Sequence, residues 1–195
     1  MRALILFAFL CQFASAGESN EPKLVKDPDP VFTGKVIRII DGDTFIVRVK
    51  KQTKYSKLLK TKNKKWTEKI KVRLYGIDAP EEKQAYGTQA KKKLTELIFK
   101  KEVKCIQKSI DPDGLTTCTL TFEEPGKTNF KITSVHTSMV AAGLAWHDVK
   151  EAPKDELLGS LEMNAKGSKK GLWAAKKEPV APWEWRKKKK KKKGR

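Results

Sequence analysis

Three short stretches in the first half of the chain alternate between apolar and polar residues, and this alternation constrains the fold more than any other feature. They cover residues 34–40, 44–49 and 69–75, and each contains β-branched residues. A repeat of two residues is the pattern of a half-buried β-strand. Asp41-Gly42-Asp43 is a turn signal between the first two strands, and the lysine-rich residues 50–65 are predicted to form a long hairpin loop before the third.

The second half of the chain predicts one further hairpin and several helices. Residues 82–101 place apolar side chains at helical spacing, and residues 132–142 and 155–166 are predicted to form two more helices. The hairpin covers residues 103–122, with a turn near its middle. Five strands in this order favour an α+β fold, an OB-fold five-stranded β-barrel with about three packed helices. We assign this domain to residues 33–186.

Both ends of the chain differ from the predicted domain. Residues 1–16 have the form of a signal peptide, with a charged start, an apolar run and a small-residue cleavage site. The apolar run is too short to span a membrane. We therefore expect a secreted or periplasmic protein with no integral membrane association after the leader is removed. Residues 17–32 are predicted to be a polar linker and residues 187–195 a disordered poly-lysine tail.

The chain is strongly basic, with a formal net charge of +20 over 195 residues. A basic surface attracts polyanions and steers their association, so we expect DNA or RNA as the partner of a monomeric protein. Lys91 and Lys92 on the first predicted helix and Lys108 in the hairpin are candidate nucleic-acid contacts. The simpler alternative is a solvated lysine surface that keeps the protein soluble. A third hypothesis is a cationic protein that binds anionic surfaces through its tail.

Two cysteines remain once the leader is removed, Cys105 and Cys118. An even number of cysteines in an exported chain suggests a disulfide. Both residues lie in the strand-like halves of the predicted hairpin, so they could face each other across it. The alternative is two buried free thiols.

Two short acidic motifs lie at the ends of predicted strands. Asp43 sits at the tight turn, and Asp78 follows the third strand. With the backbone carbonyl of Ala79, these carboxylates make an incomplete shell of oxygen ligands that water and a phosphate could complete. Such a shell favours Ca²⁺ over zinc or copper. Each motif alone has a simpler explanation, because Asp-Gly-Asp is common in turns and residues 78–81 could cap the helix that follows.

One arginine and one further carboxylate accompany the acidic pair. Arg73 could bind a phosphate through two parallel hydrogen bonds, although it could also be a plain exposed arginine. Glu81 is a spare carboxylate that could position or deprotonate a water molecule. Together these groups provide most of what metal-assisted phosphodiester hydrolysis needs.

The combined motifs resemble those of the thermonuclease family, also called staphylococcal nuclease-like. The resemblance extends over roughly residues 34–186. The matching segments are Asp41-Gly42-Asp43-Thr44, Val72 to Glu81, Tyr86-Gly87 with Ala90, Gly143-Leu144-Ala145-Trp146, Gly171-Leu172-Trp173 and Pro182-Trp183-Glu184-Trp185-Arg186. The resemblance implies an OB-fold barrel with packed helices and Ca²⁺-dependent cleavage of DNA or RNA.

The resemblance also implies a role for each residue at a matching position. Asp43, Asp78 and the Ala79 carbonyl would be metal ligands, and Asp41 would act on the metal through water or through its neighbours. Arg73 would bind the phosphate. Glu81 would act as general base or orient the attacking water.

One part of the family pattern is absent. The family carries Asp-x-Tyr-Gly-Arg in the hairpin, and its arginine helps to stabilise the transition state, whereas this chain has Asp111-Pro112-Asp113-Gly114-Leu115. Losing a catalytic arginine can cost on the order of 10³–10⁵ in rate. The chain is therefore expected to be a slowed nuclease or, alternatively, a nucleic-acid-binding module with the same fold. A lysine of the 50–65 loop, or Lys108, could substitute.

Overall fold

The fold was analysed in a computed structural model that describes residues 29–49, 68–123 and 132–193. The predicted signal peptide, residues 17–28 of the predicted linker and the lysine-rich residues 50–65 lie outside these ranges. No helix within the described ranges is long and apolar enough to cross a membrane.

The described residues form eight strands and four α-helices. The strands are β1 Val31–Ile39, β2 Thr44–Val49, β3 Glu68–Leu74, β4 Ile77–Asp78, β5 Glu102–Ile110, β6 Thr116–Glu123, β7 Ile132–Ser134 and β8 Trp146–His147. The helices are α1 Gly87–Ile98, α2 Val135–Ala141, α3 Glu156–Gly167 and α4 Pro182–Lys193, with a 3-10 helix at Gly171–Ala174.

Five of the strands close into a mixed β-barrel. Strand β1 pairs antiparallel with β2 and β5, β2 pairs with β3, and β5 pairs with β6. A parallel pairing between β3 and β6 closes the barrel, and the short β7 adds to the outer edge of β6. This arrangement confirms the predicted α+β OB-fold.

The core is filled by the alternate residues that the sequence pattern assigns to one face. On β2 and β3, for example, Phe45, Val47 and Val72 are fully buried, whereas the residues between them are more exposed. Helix α1 covers the core with Ala90 and Leu94. The inward-facing side chains of the strands, every second residue, pack here against the apolar face of the helix, as expected for a barrel with packed helices.

The structure differs from the predicted helices in two places. The predicted helix at residues 132–142 begins as strand β7, and only Val135–Ala141 is helical. The lysine run, predicted to be disordered, continues helix α4 as far as Lys193. Pro182 suits the first helical position, lysine has a good helix propensity, and basic side chains are favoured near a helix C-terminus. The structure therefore has four helices rather than three, and the fourth includes most of the predicted tail.

The predicted disulfide is not formed, and both cysteines are buried free thiols. Cys105 lies opposite Leu120 and Cys118 lies opposite Gln107, so the two cysteines are diagonal neighbours rather than direct partners. Diagonal positions are about 7–8 Å apart in Cα, which exceeds the usual span of a disulfide. A hydrogen bond with Cys118, together with burial, raises the pKa of Cys105 well above its usual value.

Candidate active site

The turn between β1 and β2 fixes the direction of one acidic side chain. Asp41 Oδ1 accepts hydrogen bonds from the backbone nitrogens of Asp43 at 3.1 Å and Thr44 at 2.8 Å, which closes the turn. The Asp43 carboxylate then accepts from Thr44 Oγ1 at 2.7 Å and from the backbone nitrogen of Ala79 at 2.9 Å. The first acidic motif is thus tied directly to the second.

Gly42 allows this close approach. A Cβ atom at position 42 would lie 2.6 Å from the Cβ of Ala90 in α1 and 2.7 Å from the Cβ of Ala79. These distances are far shorter than an ordinary carbon–carbon contact of about 3.5–4.0 Å. Only glycine lets the turn pack against both the helix and the loop after β4.

The two central carboxylates are deeply buried and close enough to repel each other. Asp43 is 5% exposed and Asp78 is 1% exposed. Burial, and then the charges of Asp41 and Asp78, raise the pKa of Asp43 well above its usual value. Burial also raises the pKa of Asp78, although hydrogen bonds from Arg186 oppose this shift. The site therefore concentrates negative charge where water cannot fully solvate it.

Such a pair could hold a hard cation. No group of three or more His, Cys, Asp and Glu side chains within the described ranges is arranged as a metal site. The protein side chains would thus supply two carboxylates, Asp43 and Asp78, and the other positions would fall to backbone oxygen, water or substrate. Oxygen donors of this kind suit Ca²⁺ or Mg²⁺.

Arg73 lies beside these carboxylates at the end of β3. Its Nη2 donates to the carbonyl of Ile77 at 3.2 Å, and its guanidinium forms ion pairs with Asp148 at 3.5 Å and Glu151 at 3.6 Å. Glu151 is itself held, because its Oε2 accepts from the backbone nitrogen of Gly76 at 2.8 Å. Sequence analysis missed both of these acidic partners, since they follow β8 far along the chain.

Glu81 is positioned by a tight loop before α1. Its backbone nitrogen donates to Gln84 Oε1 at 3.3 Å, and its carbonyl accepts from the backbone nitrogen of Gln84 at 2.8 Å. A Cβ at Gly87 would lie only 2.0 Å from the carbonyl oxygen of Glu81, so α1 can begin this close only with glycine. The Glu81 side chain remains 38% exposed, so solvent and substrate can reach it.

Arg186 of α4 is a further residue of the site that sequence analysis did not identify as functional. Its Nη1 and Nη2 donate to Asp78 Oδ1 at 3.1 Å and Oδ2 at 2.5 Å, and Nη1 also donates to Glu81 Oε1 at 3.0 Å. The hydrogen bonds with Asp78 and Glu81 raise the pKa of the Arg186 guanidinium, although burial acts in the opposite direction. The only sequence signal was its place in the segment Pro182 to Arg186.

The hairpin position that holds Leu115 lies beside the strand that carries Arg73. The Leu115 backbone nitrogen donates to Asp111 Oδ1 at 2.7 Å. Two residues later, Thr117 is the partner of Arg73 in the parallel β3–β6 pairing. Leu115 therefore lies two residues ahead of the strand partner of Arg73 in the chain.

The predicted lysine contacts lie on two elements, α1 and β5. Lys91 on α1 donates to Glu82 at 2.7 Å, next in the chain to Glu81. Lys92 is exposed on the same helix. Lys108 on β5 forms an ion pair with Asp29, ahead of β1. Of the three, Lys91 lies nearest along the chain to the carboxylate pair.

Comparison with known proteins agrees with this fold. Residues 71–175 match the family model described as "Staphylococcal nuclease homologue". The chain belongs to the staphylococcal nuclease family. It is 35% identical to a micrococcal nuclease of Shigella flexneri over 161 residues, which is 80% of this chain and 81% of that protein.

Two further relatives of this staphylococcal nuclease family member are bacterial. Protein ParB of Escherichia coli is 34% identical over 156 residues, covering 79% of this chain and 78% of that protein. An uncharacterized endonuclease of Haemophilus influenzae is 31% identical over 155 residues, covering 80% and 73%.

Proposed function

We propose that this protein is an exported, Ca²⁺-dependent endonuclease that hydrolyses phosphodiester bonds of DNA, RNA or both. Membership of the staphylococcal nuclease family makes it a phosphodiester hydrolase. The observation that supports the proposed site most directly is the buried pair Asp43 and Asp78, with the Glu81 carboxylate linked to Asp78 through one guanidinium. The metal, the residue roles and the export are our proposals.

Asp43 and Asp78 would hold the cation, together with the carbonyl of Ala79. The raised pKa of both side chains reflects buried negative charge that a cation would neutralise. Asp41 would act indirectly, because its Oδ1 holds the turn that aims Asp43. Bound Ca²⁺ would neutralise phosphate charge and stabilise the five-coordinate transition state.

Arg73 and Glu81 would act on the substrate itself. Arg73 presents a guanidinium held by Asp148 and Glu151, and this guanidinium would bind a phosphate oxygen. Glu81 would orient a water molecule and accept its proton as the water oxygen bonds to phosphorus. The bond from phosphorus to the leaving oxygen would then break, and that oxygen would take a proton from solvent.

The experiment that tests this proposal compares cleavage of labelled single-stranded DNA and RNA in Ca²⁺ and in EDTA. We expect Ca²⁺-dependent cleavage, and a loss of about 10²–10⁴ in rate for Glu81→Gln. Glu96→Gln on the exposed face of α1 is the matched control and should leave the rate unchanged. Full activity of Glu81→Gln, or undiminished cleavage in EDTA, would disprove the assignment.

A second candidate is a nucleic-acid-binding module with little or no catalysis. The observation that favours it is Leu115, which provides no donor where the family has arginine. Comparing the natural protein with Leu115→Arg separates the two functions. Cleavage by the natural protein supports the enzyme, whereas cleavage by the variant alone supports the binding module.

The proposed export is tested separately, in a bacterial host that secretes proteins. The full chain should be recovered outside the cytoplasm without residues 1–16, whereas a chain that starts at residue 17 should stay in the cytoplasm. An unprocessed cytoplasmic full chain would contradict the proposal.

A further inference from the structure

We propose that Arg186 is a further catalytic residue, which pairs with Asp78 and Glu81 in the metal-free protein and transfers to the substrate phosphate when the cation binds. It would thereby supply the second guanidinium that the hairpin lacks at Leu115. This inference rests on the proposed function, because it assumes that the acidic site holds a cation and a phosphate.

Helix α4 is held on the site by side-chain contacts. Trp183 packs edge-on against Trp146 with ring centroids 6.3 Å apart. Trp146 on β8 is the direct strand partner of Asp78 on β4. Residues three apart share a helix face, so the helix turn that packs on Trp146 also directs Arg186 towards Asp78.

A second contact ties the start of α4 to the loop of Glu81. The side-chain amide of Gln84 donates to the carbonyl of Val180, just ahead of the helix. The same side chain accepts from the backbone nitrogen of Glu81 at 3.3 Å. These two anchors hold the arginine within hydrogen-bond distance of both carboxylates.

Arg186 and a bound cation would compete for the same oxygens of Asp78. Arg186 contacts both carboxylate oxygens of Asp78, one with each terminal nitrogen. A cation bound by Asp78 needs at least one of these oxygens, and it would be repelled by a guanidinium at that distance. Binding of the cation therefore favours release of Arg186 from Asp78.

The released guanidinium of Arg186 would move to the substrate phosphate. Its side chain is 44% exposed while that of Asp78 is 2% exposed, so the arginine approaches the buried carboxylate from the solvent side. Glu81, its other partner, is the group proposed to handle the attacking water. A planar guanidinium that leaves a carboxylate can bind a phosphate with the same forked geometry.

The experiment compares Arg186→Ala with Lys187→Ala, which removes one positive charge from the next position of α4. Lys187 pairs with Glu184 rather than with the acidic site, so it is a matched control. Two quantities are measured, the Ca²⁺ affinity of the metal-free protein by calorimetry and the single-turnover cleavage rate at saturating Ca²⁺.

The proposal predicts changes of opposite sign in Arg186→Ala. Ca²⁺ should bind at least about fivefold more tightly, because a competitor is gone. The cleavage rate should fall by about 10²–10³, because a transition-state donor is gone. Arg186→Lys should keep the fold and lie between the two proteins in both measurements, and Lys187→Ala should match the natural protein.

Several results would overturn the proposal. Unchanged or weaker Ca²⁺ binding in Arg186→Ala would exclude competition between Arg186 and the cation. An unchanged or faster cleavage rate in this variant would show that Arg186 does not contribute to catalysis. If Arg186→Ala does not fold, as judged by circular dichroism, Arg186→Lys decides by the same criteria. A natural protein inactive on every substrate would refute the proposed function and, with it, the catalytic role of Arg186. In an active protein, an unchanged rate and unchanged Ca²⁺ affinity in Arg186→Ala would refute the Arg186 proposal alone, so the two failures are distinguishable.

Discussion

Replacing Gly42 by alanine tests whether close packing of the first turn builds the acidic site. The new Cβ would lie 2.6 Å from the Cβ of Ala90 and 2.7 Å from the Cβ of Ala79. Both obstacles are Cβ atoms, which cannot rotate away, so backbone must move by about 1 Å to restore ordinary contact. Overpacking of this kind costs about 1–3 kcal/mol in the free energy of unfolding. A displacement of about 1 Å at a catalytic group can cost about 10² in rate.

The assay combines urea unfolding with initial rates of cleavage at saturating Ca²⁺. Gly167→Ala is the matched control, because no atom lies within 4 Å of its added Cβ. That control should keep the natural rate and be as stable as the natural protein or slightly more so. If Gly42→Ala behaves like the control in both assays, the packing argument is wrong. A loss of stability with an unchanged rate would mean that the turn supports the fold but does not set the catalytic geometry.

Three further predictions concern charge and packing around the site. The pKa of Asp43 is raised in the folded protein, so the metal-free protein should lose stability as pH rises from the ordinary aspartate range through that raised value. Asp43→Asn should flatten this pH dependence, as measured by thermal unfolding in EDTA. The same variant should no longer bind Ca²⁺. Glu151→Gln removes a charge that partly neutralises Arg73, so it should tighten oligonucleotide binding several-fold at low salt, as fluorescence anisotropy would detect. Trp183 is only partly buried, so Trp183→Ala should cost about 1–3 kcal/mol of unfolding free energy if α4 is part of the cooperative core, and a loss below about 0.5 kcal/mol would show that the helix is only loosely attached. The same variant should also reproduce the tighter Ca²⁺ binding expected of Arg186→Ala.

The barrel and the acidic site were predictable because their signals are local. The alternation of residues 34–49 fixes two strands and their inward faces, and Asp41-Gly42-Asp43 supplies the turn between them. Because Asp43 and Asp78 both lie at the ends of strands, they are placed at the same side of the sheet. A helix start was equally local, since the Asp155 side chain accepts from the backbone nitrogen of Leu158 at 3.0 Å, as an N-cap should.

The features that sequence analysis missed depend on long-range packing or on register. Strand β7 forms because residues 132–134 can pair with β6, and this pairing overrides a helical pattern. The lysine run continues a helix whose first turn packs through Trp183 against Trp146 of β8. The cysteine pairing failed on register, because the hairpin is irregular between Gln107 and Ser109, and the resulting register places Cys105 opposite Leu120 and Cys118 opposite Gln107.

The ion pair between Asp78 and Arg186 joins residues 108 positions apart in the chain, and this separation has a consequence for the order of folding. Contacts between distant segments form late, because closing a long loop costs more conformational entropy than closing a short one. The barrel strands can therefore assemble first, with their buried carboxylates still lacking the guanidinium. During that interval the site is at its most negative, so Ca²⁺ present while the chain folds meets a stronger ligand than Ca²⁺ added afterwards. Refolding in Ca²⁺ should consequently load the site before α4 docks.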